Sequence, residues 1–458
     1  MIKRIIKNID YTLAITTLLI IIFSLIVIGS ATLEFTDASF TKLKDLNFFV
    51  KLLKLDYEYV IRQFVWVLIG IVAMVAVLYI DYEDLGKYTR SLYILNLVML
   101  LAVRFMGETA LGAQRWIPIG PFQFQPSEFA KIIIIITFAD FLVKREGRLN
   151  RFRDLIPCFI FVGIPMLLIL AQPDLGTSLV FIAITFGMLF AAGARPALLV
   201  GIIGIGLLAG VTLYNVHAYY HSADMVLEER LVEVKKAIGG NSLYVDSDQG
   251  VQNDLKKNHL TGSKKDLQTY YDILVKEHEK AHQRHEKFHK YTLKEYQMTR
   301  LTIFMDPESD LLGAGYHVWQ SRIALGSGGL SGKGLLGGTQ SHYTFLPIRH
   351  TDFIYSVVGE EFGFIGAVTL LALYFVLLYR GVQIAMMARD TYGSLLAVGV
   401  VSKFAFHIMV NIGMTAGVMP VTGIPLPLFS YGGSNMLANL ISIGILMNIY
   451  VRRQKLIF

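Results

Sequence analysis

Apolar residues gather into ten runs, at about 11–33, 61–80, 91–106, 125–143, 155–172, 175–192, 197–217, 353–379, 393–418 and 432–451. A helix needs about 20 mostly apolar residues to cross a bilayer. The pattern therefore predicts an all-α polytopic membrane protein with ten transmembrane helices. The third and fifth runs are short for a crossing. The first run follows a basic start and has no small-residue cleavage site behind it, so it reads as a retained span rather than a signal peptide.

Between the seventh and eighth runs the pattern breaks. Residues 218–352 are too long for a plain linker. The chain thus divides into 1–217 with spans one to seven, a large connection 218–352, and 353–458 with spans eight to ten. Within the connection, 222–299 is hydrophilic, with 13 acidic and 13 basic residues. There Leu267, Tyr271, Leu274, His278, His282, His285, His289 and Tyr296 fall near one face of a 3.6-residue period and predict a helix. The stripe His278, His282, His285 and His289 fits either a soft polar seam of a helical hairpin or i,i+4 metal ligands. Residues 300–352 differ: seven glycines (326, 328, 329, 332, 334, 337 and 338) lie within thirteen positions. Lys333 is nearby, yet neither Walker nor dinucleotide spacing is present. A close-packed loop over the membrane mouth fits better.

Charge orients the spans. With the N-terminus inside, the inner connections carry Lys87 and Arg90, then Lys144, Arg145, Arg148, Arg151 and Arg153, then Arg195, then Arg380 and Arg389. The tail adds Arg452, Arg453 and Lys455. This is the positive-inside pattern, and it places both termini in the cytoplasm and the large connection outside. The formal net charge of +7 therefore reports topology rather than nucleic acid. Composition agrees: 54% of residues are hydrophobic and 17% charged, against about 25% charged in soluble domains. A single cysteine, Cys158, excludes a disulfide scaffold.

Ionisable residues within spans are functional candidates, because lipid tolerates them only around a protein interior or a wet cavity. Pro126 suits a first helical turn and Glu128 the positive end of the helix dipole. Glu128 and Lys131, three apart, share a face. Before them, Arg115 is a candidate anion contact and Trp116 an interfacial anchor. Asp352 sits at the entrance of the eighth span, with Arg349 and His350 on its aqueous side. Glu360 and Glu361 lie eight and nine residues deeper, about 12–14 Å along a helix. Lys403, His407 and Asn411 recur every four residues through the ninth span, where they read as buried glue between spans. Glu360 or Glu361 is in position to neutralise Lys403 or to accept from His407. The segment Pro420–Met436 is rigid and irregular, contains Ser430, and persists at membrane depth only where protein or water satisfies its backbone. QPDLGTS, with Asp174, forms a similar outer turn.

Five stretches carry a resemblance: RWIPIGPFQFQPSEFAKI, QPDLGTS, DPESDLLGAGYHVWQSRIALGSGGLSGKG, LPIRHTDFIYSVVGEEFGFIG and NIGMTAGVMPVTGIPLPLFSYGGSNM. In this order, on a ten-span plan, the chain resembles the SEDS family (shape, elongation, division and sporulation proteins), and IALGSGGLSGKG is closer to its rod-shape branch, RodA, than to its division branch, FtsW. The charged stretch 222–299 departs from the family pattern as an insertion.

The resemblance implies a peptidoglycan glycosyltransferase at the outer face of the bacterial cytoplasmic membrane. Its substrate is then lipid II, the undecaprenyl-pyrophosphate-linked disaccharide-pentapeptide. Its partners are the nascent glycan strand, a class B penicillin-binding protein and the elongation machinery. The family's essential aspartate matches Asp352, and the family's acidic-basic pair and preceding tryptophan match Glu128, Lys131 and Trp116. The candidate catalytic set is Asp352, Glu128 and Lys131. The candidate substrate-facing set is Arg115, Trp116, Asp174, Arg349, His350, Glu360, Glu361, Asn411 and Ser430. Linking an α-linked donor into a β-linked product implies single displacement with inversion and one general base, while Glu128 keeps a two-carboxylate scheme open. The pyrophosphate leaving group needs positive charge from Arg115, Lys131, Arg349 or a divalent cation, Mg2+ or Mn2+. Two rival roles are a lipid II flippase and a non-catalytic scaffold for the penicillin-binding protein.

Overall fold

The computed structural model describes residues 8–34, 46–110, 113–120, 122–238, 264–291, 295–306, 310, 313, 315–343 and 345–453. Residues 239–263 and 292–294 of the charged segment, and the side chain of His289, lie outside this description. The chain forms two compact units, Met1–Val200 with Ile303–Phe458, and Gly201–Thr302.

A helix stands at each predicted span: α1 (Tyr11–Ala31), α2 (Tyr57–Tyr79), α3 (Thr89–Met106), α4 (Pro126–Val143), α5 (Phe152–Ala171), α6 (Leu175–Ala191) and α7 (Pro196–Ile238). Next come α8 (Lys264–Tyr291), α9 (Glu295–Met305), α10 (Tyr316–Ser327) and the short α11 (Thr339–His342). The last three are α12 (Ile354–Met386), α13 (Thr391–Thr415) and α14 (Gly433–Val451). Among the described residues, eight helices are long and apolar enough to cross a membrane by length and composition. The two others at predicted spans are α6, with 17 residues, and α4, which carries Glu128, Lys131 and Asp140.

In the first unit, α14 packs along α2, α13 lies against α6 and α12, and α1 against α12. Their inward faces are apolar and closed, as at Ile28, Phe181, Phe404 and Leu446. The outward face of α2 keeps Ile61, Phe64, Leu68 and Val72 exposed. Apolar residues that neither touch the core nor seek water form the surface a bilayer covers. Asp10 caps α1 by accepting from Leu13 N at 3.0 Å, and Arg380 clamps it at 2.6 Å. That pair ties the start of α1 to the far part of α12.

Three elements differ from the sequence reading. Residues 107–124, read only as a short polar connection, form an antiparallel sheet of β1 (Glu108–Ala110), β2 (Ala113–Ile119) and β3 (Phe122–Phe124). Strands of three to seven residues, with a proline in the longest, are too brief for alternation to show. Next, α7 does not stop at residue 217. It runs unbroken over 43 residues, because hydropathy falls there while helix-forming residues continue through EERLVEVKK. In the second unit, its later half packs Val234 against Leu267, Tyr270 and Leu274 of α8, a small core of its own. The buried tyrosine is Tyr270, and Tyr271 is partly buried beside it.

The third difference lies in α12. It is broken at Gly363, where φ is 65° and ψ −162°, a conformation essentially reserved for glycine. The break frees backbone groups that an apolar setting does not leave unpaired. The Gly-rich loop satisfies them: Lys333 N and Gly334 N donate to Glu360 O and Glu361 O at 3.0 and 2.9 Å. Phe364 N and Ile365 N donate back to Gly329 O and Leu330 O at 2.9 and 3.1 Å. This approach requires bare backbone. A Cβ on Gly363 would stand 2.3 Å from Gly332 N and 2.7 Å from Leu330 O. Gly329, also at positive φ (56°), has open space around it.

Gly363→Ala therefore meets both a forbidden backbone conformation and a backbone collision, and should cost about 3 kcal/mol or more. Gly329→Ala meets only the first and should cost about 1–2 kcal/mol. Denaturation of the purified variants in detergent checks the order. Equal losses would contradict the packing described.

Candidate active site

The second half of LPIRHTDFIYSVVGEEFGFIG belongs to this structural joint. Glu360 and Glu361 are fully buried. Glu360 Oε1 accepts from Lys333 Nζ and Thr339 N, both at 2.7 Å, and from Gln340 N at 2.9 Å. Its Oε2 accepts from Ser341 N at 3.0 Å and Ser341 Oγ at 2.5 Å. Three successive amides at the start of α11 thus close on one carboxylate, the usual solution for orphan donors at a helix N-terminus. Glu361 Oε1 accepts from Ser30 Oγ of α1 at 2.6 Å and faces His342 Nε2 at 2.9 Å. Neither carboxylate reaches Lys403 or His407, so the expected neutralisation is corrected. The break at Gly363 turns both acids toward the Gly-rich loop and α11. Lys403 Nζ instead donates to Asn439 Oδ1 at 2.9 Å and Ser442 Oγ at 3.0 Å on α14, the interhelical glue its spacing suggested.

Arg349 also has a protein partner. Its guanidinium is buried, with Nε donating to Ala31 O at 2.5 Å and Nη2 3.4 Å from Glu34 Oε1. It caps the C-terminal end of α1, where a cation is favoured. Burial holds its pKa below the ordinary value, with Glu34 opposing. His350 packs edge-on to Tyr431 and tilted against Tyr59, both centroids at 5.7 Å. Burial, then the charge of Arg349, lowers its pKa, so the ring is neutral at pH 7.

What remains converges on Asp352. The turn carrying it is held from α13 and from the loop that follows it. Asn411 Nδ2 of α13 donates to Asp352 O at 2.9 Å and to Ile424 O at 2.7 Å. Ser430 Oγ donates to Thr351 O at 2.6 Å, and Tyr431 N to His350 O at 3.0 Å. Asn411 and Ser430, expected to face substrate, here fix the backbone beneath the carboxylate. Gly423, at φ 71°, comes close enough that a Cβ would lie 3.3 Å from Asp352 Oδ2. Sequence reasoning did not single out Gly423. Its signal is only the positive φ that VTGIP demands.

One turn along α13, the same loop meets the second acid. His407 Nδ1 lies 3.2 Å from Pro425 O. A carbonyl only accepts, so the ring proton sits on Nδ1 and Nε2 offers its lone pair. Lys131 Nζ fills it at 3.2 Å and bonds Glu128 Oε1 at 2.7 Å. Glu128 and Lys131 are 2% and 1% exposed, so this is a buried ion pair. Glu128 Oε2 has no hydrogen-bond partner among the described residues, an open acceptor beside the pair. Hydrogen bonds and the Ile424–Pro425 peptide thus link Glu128–Lys131 through His407 and Asn411 to the backbone of Asp352.

The sheet and α6 wall the same end. Asp174 caps α6, accepting from Thr177 N at 3.1 Å and Thr177 Oγ1 at 2.8 Å. Arg115 on β2 donates to Pro173 O and lies 3.8 Å from Asp174 Oδ1. Trp116 is half-buried next to it. Asp174 is therefore first a helix cap, and Arg115 anchors the sheet to that cap.

Comparison with known proteins matches this architecture. The FtsW/RodA/SpoVE family model, described as cell cycle protein, matches residues 10–236 and 287–455. Peptidoglycan glycosyltransferase RodA of Treponema pallidum is 38% identical over 402 residues, 86% of this chain and 90% of that protein. Peptidoglycan glycosyltransferase MrdB of Escherichia coli K12 is 34% identical over 395 residues, 86% of each chain. A chain from a solved peptidoglycan synthase complex, described as coordinating polymerization and crosslinking, superposes with a TM-score of 0.66 at 26% identity, covering 97% of this chain and 98% of that one. Thermus thermophilus RodA shares the fold, with a TM-score of 0.58 at 24% identity and 98% of both chains covered. With its spans, its interrupted α12 and its buried acid–base rim in place, the chain belongs to the FtsW/RodA/SpoVE family, as a multi-pass membrane protein of the RodA kind.

Proposed function

We propose that this chain is a peptidoglycan glycosyltransferase that polymerises lipid II into β-1,4-linked glycan strands for cell elongation, with Asp352 as general base. The observation that carries the reading is a carboxylate at a helix entrance whose backbone is pinned by α13 and by the loop after it, a loop that also meets the buried Glu128–Lys131 pair through His407. The positive-inside pattern of the inner connections supports a rim at the outer face of the cytoplasmic membrane. The relatives' names support the reaction. The likeness to a chain of a synthase complex that joins polymerization to crosslinking supports a partner of the class B penicillin-binding type.

In this reaction the 4-hydroxyl of the acceptor sugar attacks the anomeric carbon of the donor from the face opposite the pyrophosphate. The new C–O bond forms as the bond to the pyrophosphate oxygen breaks, and undecaprenyl pyrophosphate leaves with the electron pair. The hydroxyl proton passes to Asp352. Single displacement inverts the α-linked donor to a β-linked product. Asn411, Ser430 and Gly423 position the base, while positive charge for the leaving pyrophosphate comes from Lys131, which it shares with Glu128, and from Arg115. Arg349 is already held on the end of α1, and Lys333 on Glu360. A site at the membrane edge lets the lipid tail stay between helices while the sugars meet water.

Two outcomes follow. Asp352→Asn retains shape but not basicity, and strand synthesis from lipid II should drop by at least about 100-fold with an unchanged melting temperature. Near-normal synthesis by the folded variant would remove Asp352 from the chemistry. The ion pair needs a cycle of variants, because Lys131→Met alone leaves a buried, uncompensated Glu128 and should cost about 3–5 kcal/mol. The double variant Glu128→Gln/Lys131→Met removes both charges and should regain most of that stability without regaining activity. If the double variant recovers both, the pair is structural only.

A further inference from the structure

The second unit holds a group of imidazoles that glycosyl transfer does not use. His217 and His221 lie one turn apart on α7, and His285 projects from α8. All three pairs of ring centroids are 5.5 Å apart. One ring nitrogen from each lies within 4.8 Å of the other two. His217 and His285 are buried, and His221 is exposed. Asp224, one turn beyond His221, presents Oδ2 at 3.5 Å from His285 Nδ1.

This arrangement has the chemistry of a metal tripod. Imidazole nitrogen suits zinc and its first-row neighbours, whereas magnesium and calcium seek oxygen. Tetrahedral zinc bonds nitrogen at about 2.0–2.1 Å, which sets ligand nitrogens about 3.4 Å apart. The rings therefore need to draw in by about 1.4 Å at most. A carboxylate on the far nitrogen of a ligating histidine fixes its tautomer and orientation. Asp224 stands near that place: its Oδ2, 3.5 Å from His285 Nδ1, favours the tautomer with the proton on Nδ1 and Nε2 as the ligand atom. A metal between the rings also holds all three neutral, which removes the repulsion that protonation would set up among them.

We propose that His217, His221 and His285 bind a divalent transition-metal ion, zinc by preference, with water as fourth ligand and Asp224 as the positioning residue for His285. The site differs from the stripe expected from sequence. His278 and His282 face Asp224, at 3.4 and 3.1 Å, from its other side. The ligands come from two helices, so the ion would clip α7 to α8. His285 lies in the stretch 237–286, which the family model does not match. His217, His221 and Asp224 lie within the matched residues 10–236, so the site depends on this chain's unmatched stretch for one ligand, His285.

The test uses the full chain, purified in detergent without a polyhistidine tag, stripped with chelator and dialysed against zinc or cobalt. Metal analysis should find one zinc per chain at micromolar free metal, and Co2+ should give the visible absorption of a four-coordinate site. His221→Gln, at an exposed position, should abolish both signals while the protein stays folded. Asp224→Asn should weaken zinc binding by about 10–100-fold, and His278→Gln should leave stoichiometry intact. Absence of stoichiometric metal in the wild type would overturn the proposal. So would unchanged binding in His221→Gln, or equal loss in His278→Gln.

Discussion

A broken helix in an apolar environment leaves amides and carbonyls that no water satisfies, and the architecture of this protein turns on how one such break is closed. Gly363 interrupts α12, and the loop of residues 328–334 supplies backbone partners on both sides of the gap. Glu360 then binds the loop's own lysine and the first amides of α11. Each component explains another. The glycines permit backbone contact, the contact needs Lys333 near Glu360, and Glu360 needs the α11 amides to hold its charge in a buried place. The two acids that looked misplaced within an apolar helix are the fasteners of this joint.

Function follows from what the joint leaves fixed. With the break closed, the turn before α12 enters the bundle in a set direction, and Arg349 on the end of α1 holds its approach. Asn411, Ser430 and Tyr431 then secure the backbone from His350 to Asp352. The 420–425 segment serves two residues of α13 at once, Asn411 through Ile424 and His407 through Pro425. A shift of that segment would move both the carboxylate and the Glu128–Lys131 pair. Such mutual support matches the demand that a catalytic group be held by rigid elements rather than by a free loop.

Much of this was legible in the sequence, and the parts that were not share a cause. Hydropathy runs place a helix at every predicted span, and spacing alone paired Glu128 with Lys131. The Asp352 turn stood out as charge at a helix mouth. Partners distant in sequence were not readable. Glu360 and Glu361 looked like neighbours for Lys403 because sequence shows helical depth but not the turn at Gly363. Arg349 looked like an anion contact because the carbonyls of Ala31 and Leu33 lie far back along the chain. Asn411 and Ser430 looked substrate-facing because a polar side chain at membrane depth reads the same whether it binds a ligand or a backbone. The histidine stripe was seen on one helix, while the proposed tripod draws two members from α7, His217 at the last position of the seventh apolar run and His221 beyond it.

The central claim is that this rim forms glycosidic bonds, rather than moving lipid II across the membrane or merely holding a partner. The most direct measurement supplies purified lipid II to the purified chain, with and without the proposed class B penicillin-binding partner, the latter's crosslinking blocked by a β-lactam. Products are resolved by strand length and anomeric configuration. The account predicts β-linked strands of many disaccharides that form despite the β-lactam, with undecaprenyl pyrophosphate released for each bond. Lipid II recovered intact under both conditions, with the folded chain present, would contradict it.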